Sequence, residues 1–253
     1  VNNLEREGGL GMGRCFVFII SKKWLSSFFI LLSCLILLAF FSRYSLGIHT
    51  LSVARQEIIY DVMLDAGHGG IDPGAIGEGD LYEKHYVLDI VLQMRDILTK
   101  HGLKVGLTRD SDVDVSHLVD NGGRHRRDLL GRFKLMNQGA VGISVHANAT
   151  KDKTQRGAIV FYQKDRYINE MYAKLVLEEV AKVQVLNEQH PVPRTTLLLL
   201  KSNPPVLLVE IGFMSNPDDL AKITDPQFRT SLAHALSQGI LNFIAWRDGE
   251  QSE

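Results

Sequence analysis

The sequence has 253 residues, 45% apolar and 23% charged, with a formal net charge of −1. That is enough chain for one folded domain plus an appendage, and the charge balance excludes a nucleic-acid binder working through a basic surface. Both cysteines, Cys15 and Cys34, precede residue 42, so the rest of the chain can hold neither a disulfide framework nor a thiolate metal site.

In chain order, the first element is WLSSFFILLSCLILLAFFS, residues 24–42, which is 19 residues without a charge. This is close to the ~20 apolar residues that span a bilayer core. Trp24 and Tyr44 flank it as interfacial residues do, and Arg14, Lys22 and Lys23 precede it. The positive-inside bias predicts a cytoplasmic segment 1–23, an uncleaved transmembrane anchor 24–42, and an extracytoplasmic remainder. A cleaved signal peptide is the alternative, but AFFSRYS lacks a small-x-small cleavage site. A linker follows over 43–56, a folded domain over 57–247, and a tail over 248–253.

Within the domain, strand and helix patterns alternate. IIYDVML (58–64) predicts a strand. HYVLDIVLQMRDILTKHG predicts a helix with Val87, Ile90, Val91, Met94, Ile97 and Leu98 on one face and Gly102 as its stop. LKVGLTR (103–109) is a second strand, DSDVDVSHLVDNGG a loop, and RRDLLGRFKLMNQ a second helix. VGISVHANA, from Val141, and GAIVFYQ are further strands, and residues 167–189 read as a long helix. PPVLLVEIGF, from Pro204, is an apolar strand interrupted by Glu210. Asn216-Pro217 and Asp225-Pro226 each place a capping residue before a helix-initiating proline, and the last helix runs to about Trp246. The fold class expected is α/β: a single domain with a mixed, mostly parallel sheet of about six strands flanked by helices.

Three of these strands end in polar residues: His68 in VMLDAGHGG, His146 in SVHANA, and Glu210. Ligands of open α/β sheets bind beyond the carboxyl ends of the strands, so parallel neighbours would bring the three side chains into one crevice. Glu83 lies fifteen residues after His68, just before the first helix. Two imidazoles and a carboxylate are a frequent catalytic zinc set that leaves a fourth position open. Each residue also has a plain explanation. A lone His after a strand is commonly a turn residue, and glycines 67, 69 and 70 serve turns. Glu210 resists such an explanation, because ionised carboxylates are seldom buried without a partner.

DAGHGGIDPGA, Glu83, SVHANA and LLVEIGFMSNPDD, in that order, resemble the zinc-dependent N-acetylmuramoyl-L-alanine amidases of the Amidase_3 type. Among these, the anchor, the bare domain and RRDLLGRFKLMNQ are most similar to the germination-specific cortex amidases of spore formers. The resemblance spans roughly residues 58–245. It implies Zn²⁺ as cofactor with His68, Glu83 and His146 as ligands and Glu210 as the catalytic carboxylate. It also implies peptidoglycan as substrate, in cortex or vegetative wall, with the domain in the cell wall or forespore intermembrane space; the uncharged run 24–42 adds the membrane as a partner through the N-terminal helix. A lipoprotein activator, and a polysaccharide deacetylase that acts on the same substrate to make muramic-δ-lactam, are further implied partners.

Around this set, Asn148 is a candidate donor to the oxyanion, and Asp65 is either a partner of a ligand imidazole or a turn cap. Arg109, Arg124, Arg126 and Arg127 are candidates for reading stem-peptide carboxylates, with a solvated helix face as the alternative; Arg127 is retained. MNQGAVGISVH is a tight connection that puts the placement of His146 to the test. A zinc peptidase acting on stem peptides is a rival reading, disfavoured by the gap between His68 and Glu83. A non-catalytic, membrane-tethered wall-binding protein is another.

Overall fold

The computed structural model describes residues 30–38, 58–164 and 166–250, and the chain divides into two units, Val1–Arg55 and Gln56–Glu253. In the first unit, residues 30–38 are helical (α1) and expose their leucines and isoleucines. The segment 1–23, the rest of the expected anchor 24–42 and the linker 43–56 lie outside the described residues. Among the described residues, no helix is long and apolar enough to cross a membrane.

The second unit runs β1 (Tyr60–Ala66), a small hairpin β2 (Ile76–Gly77) and β3 (Leu81–Tyr82), α2 (Glu83–Lys100), β4 (Val105–Leu107), α3 (Arg124–Met136) and β5 (Gly139–Asn148). It continues with β6 (Ile159–Gln163), α4 (Tyr167–Val180), β7 (Val192–Arg194), β8 (Val206–Phe213), α5 (Pro217–Thr224) and α6 (Pro226–Glu250). The main sheet has the order β4-β1-β5-β8-β6-β7. Strands β4, β1, β5 and β8 are mutually parallel, while β6 pairs antiparallel with β8 and parallel with β7. The sheet is therefore six-stranded, mixed and mostly parallel, as the sequence predicts.

Residues alternate between the two faces of each strand, so each face is covered separately. On one face Val62, Leu64, Val141, Ile143, Val145, Leu207 and Val209 join Val87, Ile90, Val91, Met94 and Leu98 of α2, together with apolar residues of α4 and α6. On the other face Met63, Val206 and Phe161 pack with Met136 of α3 and with Leu199 and Leu200 of a 3-10 turn, Leu199–Lys201. Register aligns Asp65, Ser144, Leu208 and Phe161 in a row across this second face. The next row toward the strand ends carries His146, Glu210 and Ile159.

The structure departs from the sequence expectations in four places. Glu83 is the first residue of α2 rather than part of a preceding loop, because the turn at 73–75 caps the helix: Glu83 N donates to the Ala75 carbonyl and Lys84 N to that of Pro73. α4 stops at Val180, well short of the expected residue 189. Val185 and Asn187 instead bond the backbone of Ala158, so tertiary pairing overrides a still-apolar pattern. β7 and the β2–β3 hairpin are short elements without sequence periodicity. Finally, α6 continues through Glu250, into the expected tail.

Candidate metal centre and catalytic site

β1, β5 and β8 are adjacent and parallel, so their carboxyl ends deliver His68, His146 and Glu210 to one edge of the sheet. His146 and Glu210 are register partners. The two-residue connection from α3 to β5 leaves His146 in the cluster. His146 Nδ1 lies 3.2 Å from His68 Nε2 and 3.1 Å from Glu83 Oε1, and His68 Nε2 lies 3.2 Å from Glu83 Oε2. Donor atoms from these three residues all lie within 4.8 Å of one another. A four-coordinate tetrahedral metal with ligand bonds near 2.0–2.1 Å separates its ligand atoms by about 3.3 Å. The triangle of two nitrogens and one carboxylate therefore fits a divalent metal with a vertex left over. His68 and His146 keep 24% and 19% side-chain exposure, so the cluster is reachable from outside.

The surroundings hold each ligand atom in place. Glu83 is almost fully buried, and its oxygens accept from the amides of Ala75, at 2.7 Å, and Ala147, at 2.8 Å. Burial alone would raise its carboxyl, but the two imidazoles outweigh that and hold it well below the usual carboxylate range. His68 Nδ1 meets Asp72 Oδ2 at 3.0 Å, which leaves Nε2 to face the cluster. Burial opposes charge on His68, yet Glu83 and Asp72 raise it to about 9, and Glu83 raises His146 in the same sense. A buried carboxylate facing two imidazole nitrogens gives the cluster a negative charge that a bound cation would balance.

The crowded glycines of DAGHGGIDPG make room for the ligand side chains. A Cβ on Gly67 would sit 2.3 Å from His146 Cε1, and one on Gly74 would sit 2.5 Å from Glu83 Oε2. His68 itself takes a left-handed backbone, φ 59°, and two buried arginines hold the carbonyls around it. Arg109 donates to the carbonyls of Ala66, Gly67, Lys84 and Ser111. Arg132, on α3, donates to those of Ala66 and His68 and pairs with Asp65 and Asp128.

Beside the cluster is a cavity of about 270 Å³ that His68, Asp72, His125, His146, Glu210 and a row of leucines help to line. Glu210 Oε2 is buried and has no hydrogen-bond partner among the described residues. Burial pushes the Glu210 carboxyl up to about 7 against the opposing pull of His146, and Glu83 adds to the rise. Such an orphaned carboxylate near neutrality is suited to taking and returning a proton.

Other sequence candidates fall elsewhere. Asp65 bonds neither imidazole; it accepts from Thr108, Ser144 and Arg132, so it anchors the His68 loop through Arg132. Arg109 is consumed by backbone carbonyls and is buried, so it is not placed to read a carboxylate. Arg124 pairs with Asp114. Arg127 is half-buried on α3 with its Nε unpartnered, and it is not among the residues lining the cavity. Asn148 ends β5, where its side-chain oxygen accepts from Ala149 N. The sequence reading passed over Asp72 and Arg132. Their signals were faint: a carboxylate four residues after His68, and an Asp128–Arg132 spacing of one helical turn.

Comparison with known proteins agrees with this arrangement. The sequence profile of the family described as N-acetylmuramoyl-L-alanine amidase matches residues 62–242. The germination-specific N-acetylmuramoyl-L-alanine amidase of Bacillus subtilis (strain 168) is 34% identical over 194 residues, 74% of this chain and 80% of that protein. N-acetylmuramoyl-L-alanine amidase AmiA of Escherichia coli (strain K12) is 26% identical, covering 76% of this chain and 78% of its own length. Among solved structures, the CwlD amidase from Clostridioides difficile in complex with the GerS lipoprotein superposes with a TM-score of 0.67 at 31% identity, over 73% of this chain and 98% of that one. Fold, clustered residues and sequence together place the chain in the Amidase_3 family, as an N-acetylmuramoyl-L-alanine amidase acting on peptidoglycan.

Proposed function

We propose that the enzyme is zinc-dependent, with His68, Glu83 and His146 as ligands and Glu210 as general base, and that it works on spore-cortex peptidoglycan from a membrane-anchored position. The observation that carries the catalytic part is the His–Glu–His triangle beside the unpartnered Glu210 carboxylate. Zinc bound there supplies Lewis acidity toward an amide carbonyl and lowers the pKa of water. Glu210 accepts the proton of the attacking water and returns it to the departing amine of L-alanine. Asp72 keeps the His68 ring turned so that Nε2 points inward, and the two backbone amides on Glu83 keep its carboxylate from rotating.

The likeness to the germination-specific Bacillus amidase supports a role in germination, and with it the spore cortex as the target. The solved CwlD–GerS complex supports a lipoprotein partner. The uncharged run 24–42 supports the anchor. Protease added to intact protoplasts is expected to remove the domain, and full protection with an intact outer surface would reverse this topology.

The enzymatic test is product analysis. Zinc-loaded protein incubated with cortex peptidoglycan is expected to free whole stem peptides with new L-alanine amino termini. Chelation is expected to stop the reaction and zinc to restore it. Release of single amino acids would point to a peptidase, and stoichiometric zinc without turnover to a wall-binding protein.

A further inference from the structure

β8 loses its regular pairing just past Glu210. His146 and Asn148 of β5 pair with Glu210 and Phe213 of β8, so β8 uses one more residue than β5 over this step. On the other side, the pairing of β6 with β8 ends at Ile159 and Glu210. A bulge of this kind leaves ladder groups unpaired, bends its strand and re-aims the side chain beside it. Buried backbone groups need partners, and here two almost fully buried side chains from outside the sheet supply them. Asp219, in the first turn of α5, accepts at Oδ2 from Phe213 N at 2.9 Å and from Gly157 N at 2.7 Å. One oxygen thus ties β8 to the chain entering β6, where the ladder has stopped. Gln184 Nε2 donates to the Ile211 carbonyl at 3.1 Å and to Asp219 Oδ1 at 3.2 Å. Gln184 Oε1 accepts from Lys222 Nζ and Val185 N, which fixes the way this amide faces. Gly212 lets the carboxylate in, since a Cβ there would sit 3.0 Å from Asp219 Cγ.

We infer that Asp219, together with Gln184, is a positioning residue for Glu210: the pair fixes the bulge of β8 and thereby the direction of the Glu210 carboxylate. The inference rests on the reading of Glu210 as general base. Glu210 Oε2 has no hydrogen-bond partner among the described residues, so the place of that oxygen follows from its backbone. The proposed metal ligands come from elsewhere, the loop after β1, α2 and β5. A disturbed bulge therefore displaces the base and leaves the metal in place. A general base works only within hydrogen-bond reach of the proton it takes, and a displacement of about 1 Å can cost ~10²-fold in rate.

The experiment is a double-mutant cycle on zinc-loaded full-length protein with a soluble muramyl-L-alanyl peptide. Asp219→Asn keeps the size of the side chain but puts a donor where Gln184 Nε2 or the two backbone amides need an acceptor. Gln184→Met removes the donor to the Ile211 carbonyl. Each is expected to lower kcat ~10- to 100-fold, with KM and zinc content near the wild-type values. Placed in the Glu210→Gln background, each is expected to lower the slow residual kcat by less than about threefold, because the base it positions is already gone. A merely structural defect acts alike in both backgrounds, since independent effects multiply to within about twofold. Unchanged kcat in both single variants, or the same loss with and without Glu210, would overturn the inference and leave the general-base reading intact. So would failure of both variants to fold, which would make the pair a brace only. A wild-type rate in Glu210→Gln alone would instead overturn the general-base reading itself.

Discussion

Two carboxylates stand near one site, and their environments separate their roles. Glu83 has a backbone amide on each oxygen and two imidazoles within 3.2 Å, so it is fixed and held ionised. Glu210 has an oxygen with no partner and a carboxyl raised to about 7 by burial. Glu210→Gln keeps size and most polarity but cannot take a proton. It is expected to retain zinc near the wild-type level and lose ~10²- to 10⁴-fold in rate, the usual worth of a positioned base. Glu83→Gln is expected to weaken zinc binding, since an amide replaces a carboxylate ligand. Metal content and turnover measured side by side decide the matter. If Glu210→Gln loses metal while Glu83→Gln keeps metal and activity, the roles are assigned wrongly. A third carboxylate is tested in the same way: Asp72→Asn removes the anionic partner of His68 Nδ1 and is expected to cost ~10- to 100-fold in zinc affinity with folding unchanged. Unaltered affinity by competition titration would make Asp72 a turn residue only.

At the scale of elements, α3 positions the loop after β1. Arg132 reaches from the helix to the Ala66 and His68 carbonyls while paired with Asp65 and Asp128. A lysine has one ammonium and no planar fork, so it cannot satisfy all four groups at once. Arg132→Lys is expected to fold but to bind zinc more weakly, whereas Arg132→Met leaves two buried carboxylates unpaired and is expected to lose about 3–5 kcal/mol of stability. Thermal melting and zinc competition separate the two effects, and an Arg132→Lys variant with wild-type zinc affinity would refute the positioning role. This division also explains what was legible in the sequence. His68, His146 and Glu210 stood out because parallel strands bring their carboxyl ends together, which is a local pattern plus a topological rule. Glu83 entered as the carboxylate that completes a two-imidazole zinc set, and its role as ligand was carried by the family resemblance, because nothing in its own neighbourhood announces a ligand. Arg109 and Arg132 were illegible as clamps, because their partners are backbone carbonyls supplied only by the tertiary fold. The early end of α4 was hidden for the same reason: the bonds from Ala158 to Val185 and Asn187 cross almost thirty residues of sequence.

For the folded unit as a whole, one carboxylate ties several elements together. Asp65, fully buried on β1, accepts from Thr108 just after β4, from Ser144 on β5 and from Arg132 on α3. Burial by itself would raise its carboxyl, but Arg132, His146 and the two hydroxyls outweigh burial and lower it from 3.8 to about 2. A group depressed in the folded state contributes stability above its unfolded pKa and loses it as pH falls through the folded value. The window is therefore pH 4 down to 2, and the amount is of order 2 kcal/mol, from the size of the shift. Asp65→Asn is expected to cost about 3 kcal/mol at neutral pH, since it leaves Arg132 short of a buried partner. The wild-type protein loses the Asp65 contribution on acidification and the variant has none to lose, so their denaturant midpoints should converge between pH 4 and 2. The measurement is urea unfolding of both proteins at intervals across that range, with metal removed so that acid release of zinc does not add its own slope. Parallel curves, with the neutral-pH gap undiminished at pH 2, would show that Asp65 is not the carboxylate through which acid loosens the joint between β1, β5 and α3.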